Sequence, residues 1–184
     1  MSSAADRPVY RTRPLPVGDL NGEYLLAPSL LDVTRQELIR FALSGIRDGG
    51  HEGLVFWGGW ESGEGTVLTT VIRPEVDHSY GRVRVSARGY GVAARRARAM
   101  GILLIAQVHS HPGDDARHSD GDDEMVGLPT EGMLSVVVPN FGIGLSQPTD
   151  AAVHQFQDGR WVLCSQESVA RQVVSAPSLL ETRP

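Results

Sequence analysis

Residues 102–122 read ILLIAQVHSHPGDDARHSDGD, and the fold is worked out from this stretch outward. Ile102 to Val108 is almost wholly apolar, the pattern of a strand buried on both faces in the middle of a sheet. His109 and His111 alternate at its end, so two imidazoles project side by side from one face. The carboxyl end of a central strand is where α/β folds leave an open crevice. Pro112 cannot continue a hydrogen-bonded ladder, so the chain turns away there. The loop then returns Asp122 on the first turn of a helix expected to start near Ser119. Two histidines and a carboxylate suit a catalytic zinc ion whose fourth position is left to water. Such water ionises near a pKa of about 7, and a nearby carboxylate must accept its proton. Blander alternatives stay open. The two histidines could lie on a wet strand face, Ser119 and Asp122 could be a capping box and nothing more, and Asp114, Asp115, Asp120, Asp123 and Glu124 could form a solvated acidic loop.

Working outward, helical spacing predicts an amphipathic helix over Leu31 to Arg47, with Leu38, Ile39, Ala42, Leu43 and Ile46 as its apolar positions. Thr34 and Glu37 read as its capping box, and Gly49-Gly50 as its stop. Leu54–Trp57 and Thr66–Ile72 are β-rich runs around a Gly-rich turn, and Arg82–Val85 alternates as a half-exposed strand. Residues 87–100 predict a second helix with an Arg-rich outer face, ended by Gly101. Leu134–Val138 reads as another buried strand. Ala151–Gln157 and Arg160–Cys164 flank Asp158-Gly159, a two-residue hairpin turn. A last helix is expected from Ser165 to Val174. The domain layout is an irregular N-terminal segment (1–30), one domain (31–175) and a tail (176–184). Strands mixed with helices in this order predict an α/β (α+β) domain with one mixed sheet and helices on its faces.

The bulk composition excludes several function classes. At 184 residues the chain suits one domain with a real core. A net charge of -5 offers no basic surface for nucleic acid or an anionic membrane. The longest strongly apolar run, Ile102–Ala106, is too short to cross a bilayer, and the amino terminus has no apolar stretch for a signal peptide. The single cysteine, Cys164, precludes an internal disulfide and any CxxC metal site. A reducing, cytoplasmic setting is therefore expected. All 17 basic residues are arginine; there is no lysine. GC-rich codon usage explains that, and so does escape from a lysine-tagging system.

The spacing HxHP, six residues, Ser, two residues, Asp resembles the signature of the JAMM (JAB/MPN+) zinc metallopeptidases, and residues 109–122 match it without a gap. That resemblance implies a curved mixed sheet between helices, similar to the cytidine deaminase architecture. It implies zinc held by His109, His111 and Asp122, with Ser119 stabilising the oxyanion. It also implies an upstream catalytic glutamate before an apolar run that ends in glycine. Residues 50–58, GHEGLVFWG, fit with Glu52 as general base, although the run is about one residue short of the family pattern. Glu61 and Glu64 are rivals in a Gly-rich hairpin.

The remaining histidines read blandly: His51 at the site mouth, His78 and His154 on strand surfaces, and His118 within the loop but outside the ligand set. Cys164 reads as a small core residue. The expected activity is hydrolysis of the bond after the carboxyl-terminal tail of a ubiquitin-like or sulfur-carrier protein. Compact length resembles the bacterial members, with E1/E2-like conjugation proteins as possible partners. A non-catalytic scaffold of the same fold and a zinc hydrolase of a small amide are the alternatives. The missing PCxxC argues against deamination.

Overall fold

The structure is a computed structural model that describes residues 14–119, 122 and 129–177. In chain order its elements are β1 (Val17–Gly18), β2 (Tyr24–Leu26), α1 (Leu30–Ser44), β3 (Leu54–Ser62), β4 (Gly65–Ile72), β5 (Val76–Ser79) and β6 (Arg82–Val85). There follow α2 (Ala87–Ala99), β7 (Leu103–Ser110), β8 (Leu134–Val138), β9 (Ala152–Gln157), β10 (Arg160–Cys164), α3 (Gln166–Gln172) and β11 (Val173–Ser175). Among the described residues, nine strands make one mixed sheet in the order β1-β10-β9-β8-β7-β3-β4-β2-β11, and β5 with β6 forms a separate pair. The apolar strand β7 is central as expected, antiparallel to β3 and parallel to β8.

Alternation along the strands separates two cores. Val55, Trp57, Ala106, Val108, Leu134 and Val136 pack with Leu30, Leu31 and Leu38 of α1 on one face. Leu54 and Phe56 meet Val83, Val85 and Ala93 of β6 and α2 on the other. The sheet is curled, and β3 shifts register against both neighbours near Gly58-Gly59. A Cβ at Gly59 would land on the Val67 carbonyl oxygen, so only glycine permits this bulge.

Several boundaries differ from the sequence reading, each because a tertiary contact overrides a local pattern. Helix α1 starts at Leu30 after Ser29, and its buried positions are Leu30, Leu31, Thr34, Leu38 and Phe41. Leu43 and Ile46 are exposed, and a short 3-10 turn over Ile46–Asp48 follows the helix. Thr34 is therefore not a cap. Its hydroxyl donates to the Leu30 carbonyl at 2.8 Å and accepts the Trp57 indole N–H at 2.8 Å. Thr34→Val strands that buried indole donor and is expected to cost about 1–3 kcal/mol. Urea unfolding measures it, and an unchanged midpoint contradicts the assignment.

Within the first thirty residues, β1 pairs with β10 and β2 lies between β4 and β11, so the segment is irregular only in part. The last helix stops at Gln172 because Val173–Ser175 joins the sheet. Residues 1–13, most of the helix expected after Ser119, and residues 178–184 lie outside the described residues. Among the described residues, no helix is long and apolar enough to cross a membrane.

Candidate metal centre

Strand β7 projects its histidines from a firmly held edge. Leu54 is the register partner of His109, and Gly53 and Ser110 clasp each other: the Gly53 N–H donates to Ser110 Oγ and the Ser110 N–H to the Gly53 carbonyl, both at 3.0 Å. The turn at Pro112 is braced by the segment after β8. The His111 N–H donates to the Val138 carbonyl at 2.9 Å, and Phe141 and Asn140 N–H groups donate to the carbonyls of His111 and Gly113 at 2.8 Å. Asn140 and Phe141 adopt left-handed backbone angles (φ 52° and 55°) to reach them.

His109, His111 and Asp122 meet at one point, with one ligand atom from each lying within 4.8 Å of the others. The two Nε2 atoms are 3.3 Å apart. Asp122 Oδ1 lies 3.0 Å from His109 Nε2, and Oδ2 lies 3.8 Å from His111 Nε2. His109 is 0% exposed and Asp122 4%, so water does not screen this cluster of lone pairs. His111 Nδ1 lies 2.7 Å from the Asp115 carbonyl oxygen. With the proton donated there, Nε2 keeps its lone pair for the centre. Burial raises the Asp122 pKa, yet His109 and His111 outweigh it and hold the carboxyl well below the usual carboxylate range. A buried anion beside two converging imidazole nitrogens is a donor set that fits a divalent metal ion.

Ser119 lies against the third donor. Its N–H and Oγ both donate to Asp122 Oδ2, at 2.6 and 3.0 Å, so its contact here is with the third donor. The bond from the Ser119 N–H is half of a capping box, so the capping and ligand readings of Asp122 are compatible.

Glu52 stands beside the centre. Extending the Leu54–His109 antiparallel pairing by two residues sets it opposite His111, and its N–H donates to the Ser79 carbonyl at 3.0 Å. It is 7% exposed. Burial pushes its carboxyl up to about 7, with His111 opposing and Asp122 adding to the rise. That places it where a general base works best at neutral pH. Glu61 and Glu64 are exposed at the far end of the β3–β4 hairpin.

One bland expectation for a histidine needs correction. His154 is 1% exposed, because β9 lies between β8 and β10 and its side faces the core. Burial lowers its pKa to about 4, and its Nδ1 meets the Ser135 carbonyl at 3.2 Å. His118 is also buried, its ring against His154 and Trp161, and it lies outside the donor set. His78 is half-buried, with its Nδ1 3.0 Å from His51 Nδ1 beside Glu52. Cys164 is a core residue whose thiol burial pushes up to about 12, which makes it a poor nucleophile. The sequence reading missed Gln107 and Ser135, both fully buried on the donor face. Their signal was available, since each is a lone polar residue within an apolar strand.

Comparison with known proteins places this geometry. No family model matches the chain. A protein named probable metalloprotease y4jG, from Sinorhizobium fredii, is 34% identical over 103 residues, which is 54% of this chain and 63% of that protein. The chain thus spans less than two thirds of that relative's length. Solved structures share the fold: a protein from Desulfitobacterium hafniense (TM-score 0.60, 16% identity, 85% of this chain and 94% of that one) and one from Salinibacter ruber (TM-score 0.50, 22% identity, 76% and 88%). A JAB1/MPN domain protein from Archaeoglobus fulgidus aligns at TM-score 0.41 with 16% identity, over 82% of this chain and 96% of that one, a score that adds no weight. The chain carries the JAMM pattern without a gap, folds it to one point and is similar over part of its length to a protein named probable metalloprotease.

Proposed function

We propose that this protein is a zinc-dependent metallopeptidase that hydrolyses the amide or isopeptide bond after the carboxyl-terminal tail of a ubiquitin-like or sulfur-carrier protein. The convergence of His109, His111 and Asp122 beside a buried Glu52 carries the reading. Zinc bound there supplies Lewis acidity and a water of lowered pKa. The relative's name supports peptide-bond hydrolysis, and the JAMM resemblance supports the choice of substrate tail.

The chain's own residues divide the work. His109, His111 and Asp122 hold the ion. Glu52, with its carboxyl at about 7, takes a proton from the attacking water and returns it to the leaving amine. Ser119 holds Asp122 in place and, once its hydroxyl turns toward substrate, donates to the developing oxyanion. Ser119→Ala separates these two duties. Oxyanion donation predicts a fall in kcat of about 10²–10³ with zinc affinity nearly unchanged, because the backbone N–H of residue 119 still holds Oδ2. If affinity and kcat fall together, the hydroxyl serves only the ligand.

Incubation of the full chain and zinc with a Gly-Gly-tailed ubiquitin-like fusion tests the proposal. Cleavage after the tail, stopped by chelator and restored by zinc, is the expected result. Full zinc occupancy without cleavage of any such fusion overturns the substrate class.

A further inference from the structure

The sheet face that carries the donors also carries a buried polar row. Gln107, Ser135 and His154 are register partners on β7, β8 and β9, and each is at most 1% exposed. Gln107 precedes His109 by two residues, so both side chains leave the same face of β7. Gln107 Nε2 donates to Ser135 Oγ at 3.2 Å. Two buried atoms on this face, His109 Nδ1 and Gln107 Oε1, have no hydrogen-bond partner among the described residues. Buried polar groups are normally satisfied, so the pair calls for an explanation.

The two atoms are chemically complementary. With a metal ion taking the Nε2 lone pair beside Asp122 and His111, the neutral ring of His109 carries its proton on Nδ1 and needs an acceptor. Gln107 Oε1 is an acceptor that lacks a donor. The serine hydroxyl tolerates either end of the amide, but only the orientation with Nε2 toward Ser135 leaves Oε1 for His109.

We propose that Gln107 is the positioning residue for His109: the two groups are not hydrogen-bonded to each other in this structure, and with the metal in place the side-chain carbonyl of Gln107 turns to take the Nδ1–H and fixes the tautomer that aims Nε2 at the metal. Outer partners of this kind orient a ligand and raise its basicity. The inference rests on the metal reading of the site and deepens it. For His111 the same duty falls to the Asp115 carbonyl, 2.7 Å from its Nδ1.

Zinc alone is the probe, titrated into the full chain against a chromophoric chelator. Gln107→Leu is expected to weaken zinc affinity by about 10–100-fold, while Gln107→Glu, which keeps an acceptor oxygen, retains most of it. In the zinc-loaded wild type, long-range 1H–15N spectra should show His109 protonated at Nδ1 with slow solvent exchange, and exchange should quicken in Gln107→Leu. Equal affinity of wild type and Gln107→Leu overturns this inference while leaving the metal site standing. If wild type takes up no zinc, both readings fall. Should Gln107→Leu not fold, the wild-type spectrum decides, and an unprotonated or fast-exchanging His109 Nδ1 refutes the assignment.

Discussion

His109→Ala is expected to abolish stoichiometric zinc binding while the chain stays folded. His109 is the fully buried member of the donor set and lies nearest the Asp122 carboxylate, at 3.0 Å. Without it, a half-buried His111 and one carboxylate remain, and two donors do not complete a zinc site. Affinity should fall well beyond the roughly 10–100-fold that loss of an outer partner costs. Equilibrium dialysis with metal analysis reads the loss, and circular dichroism checks the fold. One zinc per chain in His109→Ala would contradict the assignment of the centre.

Glu52→Gln is expected to do the opposite, keeping zinc but losing turnover. The amide fills the same buried space but cannot accept a proton, so kcat falls by about 10²–10⁴. The variant also has a pH signature in the metal-free protein. Burial raises the Glu52 pKa from about 4.5 to about 7, so folding favours its protonated form. Its contribution to stability is thus complete below about 4.5 and is lost as pH rises through about 7. Thermal melts of metal-free wild type and Glu52→Gln across that window measure the difference. Wild type should lose stability relative to the variant as pH rises, and a difference of opposite slope contradicts a buried, destabilised carboxylate. A scaffold, by contrast, shows no turnover in either protein.

The convergence of His109, His111 and Asp122 was legible because its signals are local. The β7 alternation orients His109 and His111, Pro112 forces the turn, and Asp122 returns within one loop. Glu52 needed the family resemblance, since its place opposite His111 is set by the pairing of β3 with β7 across more than fifty residues of sequence. The central strands were legible from their apolar runs. Strands β2, β5 and β11 were not, being short and recognisable only through their partners. The register of α1 was misread at Thr34, whose polarity suggested a cap until Trp57 supplied a buried partner. The burial of His154 depends on both neighbours of β9, which local sequence does not reveal.

X-ray absorption at the zinc edge of the one-to-one complex addresses the shared ion most directly. Two imidazole nitrogens at about 2.0–2.1 Å together with oxygen donors, and no sulfur, are expected. A shell containing sulfur, or one without histidine scattering, would show that His109, His111 and Asp122 do not share the ion.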